Sequence, residues 1–350
     1  MKIVFLYTEI ADYFLSACLE LSKDAEVHIV KWEVAKEAPF KFDFPKELNI
    51  YERGDYNNAS LMKLMNEINP DIVFCSGWID KGYLSIIKNF KNKIPTVLTM
   101  DNIYVGNLRQ RIAILFARIS ILKNFSQVWV PGELQRHFAL KLGFDKNRIK
   151  SGFYTANTPI FEKKYLINRK ARMDNVPKRF LFVGRYVKEK GILALWNTYK
   201  LYKEGGGKWD LWCVGTGTLW GERPNIEGLK HFGFVQPSGI LEIIEKCGVY
   251  VLPSYFEPWG VSVHELAASG FPMLLSNKIG SANRFLQNGK NGYLFESGNK
   301  KELLEKMNKI SNLTNSELFN MGEIGFAKSK VMSPEVWSQQ AQSFLIEKVK

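Results

Sequence analysis

The chain contains no uninterrupted apolar run of about 18 residues, the length a membrane-spanning helix needs, so no such helix is expected. Cysteine is scarce. Cys18, Cys75, Cys213 and Cys247 are scattered without a C-x-x-C pair, which argues against a zinc site or a disulfide framework and suits a reducing, cytoplasmic compartment. The opening MKIVFLYTEIADYF lacks a cationic leader ahead of a long apolar core, and it reads as a first strand rather than a signal peptide. No recognisable nucleic-acid-binding motif occurs, so nucleic acid is not expected as a partner.

The 350 residues have room for two domains of ordinary size, and a hydrophobic content of 46% is enough to fill two cores. Lysine and arginine number 48 against 35 acidic residues, a formal net charge of +13. Phosphorylated substrates and an anionic membrane surface would both exploit that balance, while lysine-rich solvated faces are its plainer explanation.

One stretch organises the rest: Cys247 to Gly270, CGVYVLPSYFEPWGVSVHELAASG. Val249-Tyr250-Val251-Leu252, closed by Pro253, has the length and composition of a buried parallel strand. A loop carrying Glu257 and Trp259 follows. A helix then begins at Val261 and is stopped by Gly270 and Pro272. A helix start reached from a strand through a glycine loop is an anion site, because its first N–H groups lack internal partners and its dipole favours negative charge. A phosphate on the N–H groups of Gly260, Val261 and Ser262 would sit between Glu257 and Glu265, which are eight residues apart. Both carboxylates could then accept from hydroxyl groups, one on each side, as in ribose, diphosphate and hexose of a sugar nucleotide. The alternative is a solvated loop glutamate and a glutamate that complements the helix dipole.

The stretch resembles the signature of family-four retaining glycosyltransferases of the GT-B fold, in Leu252-Pro253-Ser254, Glu257-Pro258-Trp259-Gly260 and Ala267 to Pro272. Asn288-Gly289-Lys290-Asn291-Gly292-Tyr293-Leu294-Phe295 matches as well. The resemblance covers essentially the whole C-terminal half and is weaker but traceable before it. It implies two Rossmann-like, doubly wound α/β domains facing a central cleft. It also implies that Arg185 and Lys190, after the strand ending at Gly184, grip the donor diphosphate. In the same way Glu265 holds the ribose, Glu257 contacts the sugar, and Phe234 or Val235 packs beside the base. At the end of the strand Pro95 to Met100 the family places a histidine facing the transferred sugar. Asp101 stands there, and it reads as a sugar-facing carboxylate or as a plain strand-end cap. Two further departures are the glycine-free loop Thr8 to Asp12 and Ala282-Asn283-Arg284, where the family often shows a glutamate.

The expected domains are residues 1–165, joined by a last helix over 334–350, and residues 175–333. Between them Phe161 to Arg179 holds seven basic residues, Lys163, Lys164, Arg169, Lys170, Arg172, Lys178 and Arg179, with no apolar period, and reads as a solvated linker. Leu108 to Phe125 is helical by period, with an apolar stripe of Ile112, Leu115, Phe116, Ile119 and Leu122. It reads either as a helix packed on the core or as a surface helix meeting an anionic lipid-linked acceptor, with Arg109 and Arg111 on the acceptor phosphate.

The expected function is transfer of a hexose from a UDP- or GDP-type sugar to a glycan or lipid-linked acceptor in surface polysaccharide assembly, with no cofactor. No D-x-D triplet occurs, the pair with which metal-dependent transferases of the other main fold hold a divalent ion, so no metal is expected. The expected location is cytoplasmic, with peripheral attachment to the inner membrane face. A nucleotide-sugar or glycan binder that kept the fold without transfer is the alternative.

Overall fold

The computed structural model describes residues 1–34 and 40–346. It divides into two compact units, Met1–Thr155 with Met332–Lys350, and Ala156–Val331. The last four residues of the expected final helix, 347–350, lie outside the described residues.

The first unit is built on β1 (Lys2–Leu6), β2 (Glu26–Lys31), β3 (Leu48–Glu52), β4 (Ile72–Ser76), β5 (Thr96–Thr99), β6 (Gln127–Val130) and β7 (Ile149–Ser151). Among the described residues these form one seven-stranded sheet in the order β3-β2-β1-β4-β5-β6-β7. Every pairing in it is parallel. The helices are α1 (Asp12–Leu21), α2 (Asn58–Ile68), α3 (Lys81–Phe90), α4 (Leu108–Ala117) and α5 (Glu133–Leu142). Strand residues alternate between two cores, as a sheet covered on both faces requires. Val4 and Leu6 of β1 pack with Leu61, Ile86 and Phe138 from α2, α3 and α5. Ile3 and Phe5 pack on the other face with Phe14 of α1 and with Trp337.

The second unit opens with α6 (Thr158–Asp174). It continues through β8 (Arg179–Val183), α7 (Ile192–Glu204), β9 (Asp210–Val214), β10 (Leu229–His231), α8 (Pro237–Glu245) and β11 (Val249–Leu252). Then follow α9 (Val261–Ala268), β12 (Met273–Ser276), α10 (Ala282–Phe285), β13 (Gly292–Phe295), α11 (Lys300–Ser311) and α12 (Asn315–Ser329). Its sheet has the order β10-β9-β8-β11-β12-β13, again parallel throughout. The chain then returns to the first unit as α13 (Pro334–Ile346), which packs on α1. Trp337 is buried there and its indole N–H donates to the Phe153 carbonyl at 2.6 Å.

Two expectations are overturned. The segment Phe161 to Arg179 is not a solvated linker: most of it is α6, packed on α8, α9 and α12 within the second unit. Arg172, Lys164 and Arg169 are structural. Arg172 is buried, donates to the Cys247 carbonyl at 3.0 Å and lies over the Phe271 ring, and burial lowers its pKa to about 10. Lys164 pairs with Glu245 at 2.7 Å, and Arg169 Nε donates to Glu323 at 3.0 Å. An apolar period was invisible because Phe161 and Tyr165 anchor the helix between charged neighbours whose partners come from distant sequence. The compact units therefore divide at Thr155/Ala156 and Val331/Met332.

The second correction concerns Leu108 to Phe125, which is not a core-packed helix along its stripe. It forms α4 followed by one π turn, Arg118–Leu122. Leu108 is 72% exposed, Leu115 75%, Phe116 60% and Ile119 64%, while Ala117 and Ile121 are the buried contacts. Of the stripe, only Leu122 packs on the core of this unit, and the residues before the π turn present their apolar side chains to solvent.

Candidate functional site

In the second unit the strand order reverses between β8 and β11, the switch point at which open α/β sheets bind ligands beyond the carboxyl ends of their strands. The segments that follow these two neighbouring strands carry the acids and cations singled out from the sequence. After β8 come Gly184 and Arg185, then a 3-10 turn, Lys188–Lys190. After β11 come Glu257 and α9, which carries Glu265.

The two segments are stapled together. The Tyr255 and Phe256 N–H groups donate to the Glu189 carbonyl at 2.8 and 3.3 Å. Gly191 closes the 3-10 turn at φ +68°, and a Cβ there would collide with the Pro253 carbonyl oxygen, so only glycine permits this approach. Lys190 Nζ donates to Glu257 Oε2 in a half-buried ion pair. Glu257 is only 7% exposed, and its backbone bridges to Ile279, with its N–H donating to the Lys278 carbonyl at 3.1 Å.

Gly260 precedes α9 at φ +88°, and a Cβ there would lie 3.0 Å from Glu257 Cγ. No side chain caps the first turn of α9, so its leading N–H groups face the site. Ser262 Oγ and Tyr250 OH are 2.7 Å apart. Burial holds Tyr250 well above the ordinary phenol pKa, and the negative charges of Glu257 and Glu265 push it in the same direction. Arg185 is exposed at the end of β8 on the same sheet edge. The backbone of this edge is fixed by the Gly184 N–H to the Val214 carbonyl at 3.0 Å and the Tyr186 N–H to the Thr216 carbonyl at 2.9 Å.

Trp259 departs from its expected place. It is buried, 4% exposed, with its ring edge-on to Phe285 at 6.4 Å, so the indole belongs to the core and only its backbone borders the site. Its aromatic character signalled packing rather than contact. Val261 and Ser262 are half-buried at the helix start, and Phe234 and Val235 are half-buried after β10, where Val235 packs near Gly239. Asp101 belongs to the first unit, where its Oδ2 accepts from Tyr154 OH at 3.1 Å. Arg109 and Arg111 are both exposed on α4, with Arg111 Nε donating to the Gly106 carbonyl at 3.0 Å.

The sequence reading passed over His264, between the two halves of the signature helix. It is fully buried, its Nδ1 accepts from the Ala156 N–H at 3.0 Å, and its Nε2 donates to the Ser329 carbonyl at 2.9 Å. The ring stacks on Phe285 with centroids 4.2 Å apart. One imidazole thus ties α9 to the first residue of the second unit and to the end of α12. Replacing His264 by leucine strips two buried backbone groups of their partner, each costing about 1–3 kcal/mol. The expected loss of about 3 kcal/mol lowers the melting temperature by roughly 6–12 °C, read by calorimetry.

His231, the last residue of β10, shares a 3.0 Å hydrogen bond with Tyr186 OH. Burial holds its pKa below the ordinary 6.5, and the Arg223 charge adds to this. His28 on β2 is lowered from the same value, again chiefly by burial, with Glu26 opposing. Below pH 6.5 the unfolded chain binds more protons at these sites than the folded one, so stability is complete above that pH and falls as acid is added. The melting temperature is expected to drop between pH 7 and pH 5, and a H231Q variant to show a shallower drop.

Comparison with known proteins bears on this arrangement. Residues 165–325, which hold the whole β8–β11 edge, match the family Glycosyl transferases group 1. That match spans most of the second unit, Ala156–Val331. The resemblance read from the Glu257 to Glu265 stretch is thereby supported. Over 315 residues the chain is 27% identical to the capsular polysaccharide biosynthesis glycosyltransferase CapM of Staphylococcus aureus, covering 83% of this chain and 81% of CapM. It is also 27% identical over 219 residues to the N,N'-diacetylbacillosaminyl-diphospho-undecaprenol alpha-1,3-N-acetylgalactosaminyltransferase of Campylobacter jejuni, covering 58% of this chain and 54% of that enzyme. The fold is like that of Anabaena HepE, solved with UDP and glucose, at a TM-score of 0.73 and 15% identity over 99% of this chain and 100% of HepE. The two Rossmann-like units are those of the GT-B fold.

Proposed function

We propose that this glycosyltransferase moves a hexose from a UDP- or GDP-type sugar to a hydroxyl of a glycan or lipid-linked acceptor, with retention at the anomeric carbon, in surface polysaccharide biosynthesis. The observation that carries this is the Lys190–Glu257 pair at the uncapped start of α9, with Glu265 about one turn further on. A diphosphate on the Val261 and Ser262 N–H groups gains the helix dipole. Arg185 offers a planar fork and Lys190 a compact point charge to the same oxygens. Glu265 accepts from ribose hydroxyls, Glu257 from the transferred sugar, and Phe234 with Val235 flanks the base. Asp101 accepts from a sugar hydroxyl on the side of the first unit.

In the transfer the bond from the anomeric carbon to the leaving phosphate oxygen breaks, and the acceptor oxygen bonds to that carbon. The acceptor proton passes to the departing phosphate oxygen, so no strong protein base is needed in a chain with four histidines. Cations already in place where negative charge grows lower the barrier directly. No resident metal or cofactor is assigned to the site. CapM acts in capsular polysaccharide synthesis, and the Campylobacter enzyme's printed name includes a diphospho-undecaprenol acceptor, which supports the acceptor class. The apolar face of α4, bordered by Arg109 and Arg111, is the surface that rests on an anionic bilayer at the cytoplasmic side.

The test is release of nucleotide diphosphate from a panel of donors in the presence of a chelator, followed by anomeric analysis of the product. Release with the donor's anomeric configuration kept is expected. An inverted product, or activity that appears only when magnesium is restored, contradicts the mechanism. Binding without release points to the non-catalytic alternative.

A further inference from the structure

The run Val249-Tyr250-Val251-Leu252 would be as good a buried strand with phenylalanine in place of Tyr250, so packing alone does not account for the hydroxyl. The strand lies between β8 and β12, with Tyr250 in register with Leu181 on one side and Met273 on the other. The side chain is fully buried, so its hydroxyl cannot turn to water. A buried hydroxyl is costly unless it is hydrogen-bonded. Among the described residues its one partner is Ser262 Oγ, at 2.7 Å. A phenol that accepted from the serine would leave its own donor stranded in the core, and a stranded buried donor costs more than one such bond returns. The phenol is therefore the donor and Ser262 Oγ the acceptor. Burial keeps the phenol protonated for this, with its pKa well above the ordinary range. Ser262 is only half-buried, and its own proton is left to point outward. It is the second residue of α9, and helical side chains tilt toward the N-terminal end. Its hydroxyl thus stands beside the leading N–H groups that no side chain caps.

We infer that Tyr250 is a positioning residue for the donor diphosphate: its phenol donates to Ser262 Oγ and so turns the serine's own O–H onto a phosphate oxygen held at the start of α9. The inference rests on the reading of that helix start as the diphosphate site and adds to it a neutral donor aimed from the core. The hydrogen bonds run one way, from phenol to serine to phosphate, and each polarises the next. The phenol is enclosed behind the serine and acts only through it. Its place is fixed by the sheet, where the Tyr250 N–H donates to the Pro272 carbonyl at 3.0 Å. A serine hydroxyl left to itself turns among staggered rotamers. One held by a buried partner meets the phosphate with that freedom already removed, which favours binding. Arg185 and Lys190 supply charge to the same oxygens, while the serine supplies direction.

Calorimetric titration of UDP and GDP into the full native chain, Tyr250→Phe, Ser262→Ala and the double variant tests it, with saturation-transfer NMR of uridine and guanosine on the same proteins. Tyr250→Phe removes one oxygen from a filled core and is expected to melt within about 4 °C of the native chain. Whichever nucleotide the native chain binds is expected to bind about fivefold more weakly to Tyr250→Phe and about tenfold more weakly to Ser262→Ala, the range for one hydrogen bond misdirected or lost. The matching nucleoside, which carries no phosphate, is expected to give the same signal with all the proteins. The double variant is expected to bind no more weakly than Ser262→Ala, because without the serine the phenol has nothing to orient. Native affinity in Tyr250→Phe, an equal loss for the nucleoside, or losses that multiply in the double variant overturn the inference while leaving the donor site in place. Binding of neither nucleotide by the native chain overturns the donor site and the inference with it, so the two failures are told apart.

Discussion

Replacing Arg185 by alanine lowers the rate of transfer by about 10²–10³-fold, the cost of removing one preorganised group that faces developing negative charge. Folding is expected to survive, because Arg185 is exposed at the end of β8 and surface changes usually stay within about 0.5 kcal/mol. Lys190→Ala should lose rate to a similar degree but differ in stability. Its amine answers the charge of Glu257, which is 7% exposed, and losing one partner of this half-buried pair costs about 1–3 kcal/mol. A Lys190→Ala/Glu257→Gln double variant recovers most of that stability without recovering the rate. The pair of measurements, turnover and melting temperature on the four proteins, separates chemistry from folding. Full activity in the Arg185 variant would remove it from the site, and an unshifted melting temperature in the Lys190 variant would mean the ion pair is not formed in solution.

Changing Leu115 and Phe116 together to aspartate abolishes binding to vesicles rich in phosphatidylglycerol and leaves the melting temperature within a few degrees. Leu115 is 75% exposed and Phe116 60%, so little native packing is lost. Each such side chain buried in a bilayer is worth about 1.5–3 kcal/mol, so the double change weakens partition by about 10²-fold or more. Changing Arg109 and Arg111 to alanine should weaken binding less, by about 1 kcal/mol for each charge removed near the surface, and the effect should fade with salt. Cosedimentation with neutral and anionic vesicles reads both. Unchanged sedimentation of the aspartate variant would mean that the exposed stripe of α4 does not meet lipid.

The central strands and the switch from strand to helix were legible in the sequence because buried parallel strands are continuous apolar runs, as in Val249-Tyr250-Val251-Leu252. The edge strand β3, Leu-Asn-Ile-Tyr-Glu, escaped notice because one side meets solvent and its residues alternate. Helices α2 and α12 were missed although their caps are written locally. Asn57 accepts from the Ala59 and Ser60 N–H groups, and Thr314 forms a capping box with Glu317. The candidate site was legible where it depends on backbone, in Gly191, Gly260 and the start of α9. It was illegible where partners come from far away in sequence. Nothing near His264 announces that Ala156 and Ser329 will meet it, and nothing in α6 announces that Arg172 will find the Cys247 carbonyl. The exposed stripe of α4 failed for a third reason, since periodicity reports amphipathicity but not which medium the apolar face will meet.

The account turns on whether the uncapped start of α9, between Glu257 and Glu265, receives a nucleotide diphosphate. Thermal unfolding of the native chain and of Glu265→Ala, each with UDP or GDP at about 100 times the dissociation constant for the native chain, measures this most directly. A ligand bound only to the native state adds about 2.7 kcal/mol at that excess, a rise of roughly 5–10 °C for a domain of this size. The native chain is predicted to show that rise with one of the two nucleotides, and Glu265→Ala to melt normally without ligand and lose most of the rise. No shift with either nucleotide, or an equal shift in both proteins, would contradict the assignment.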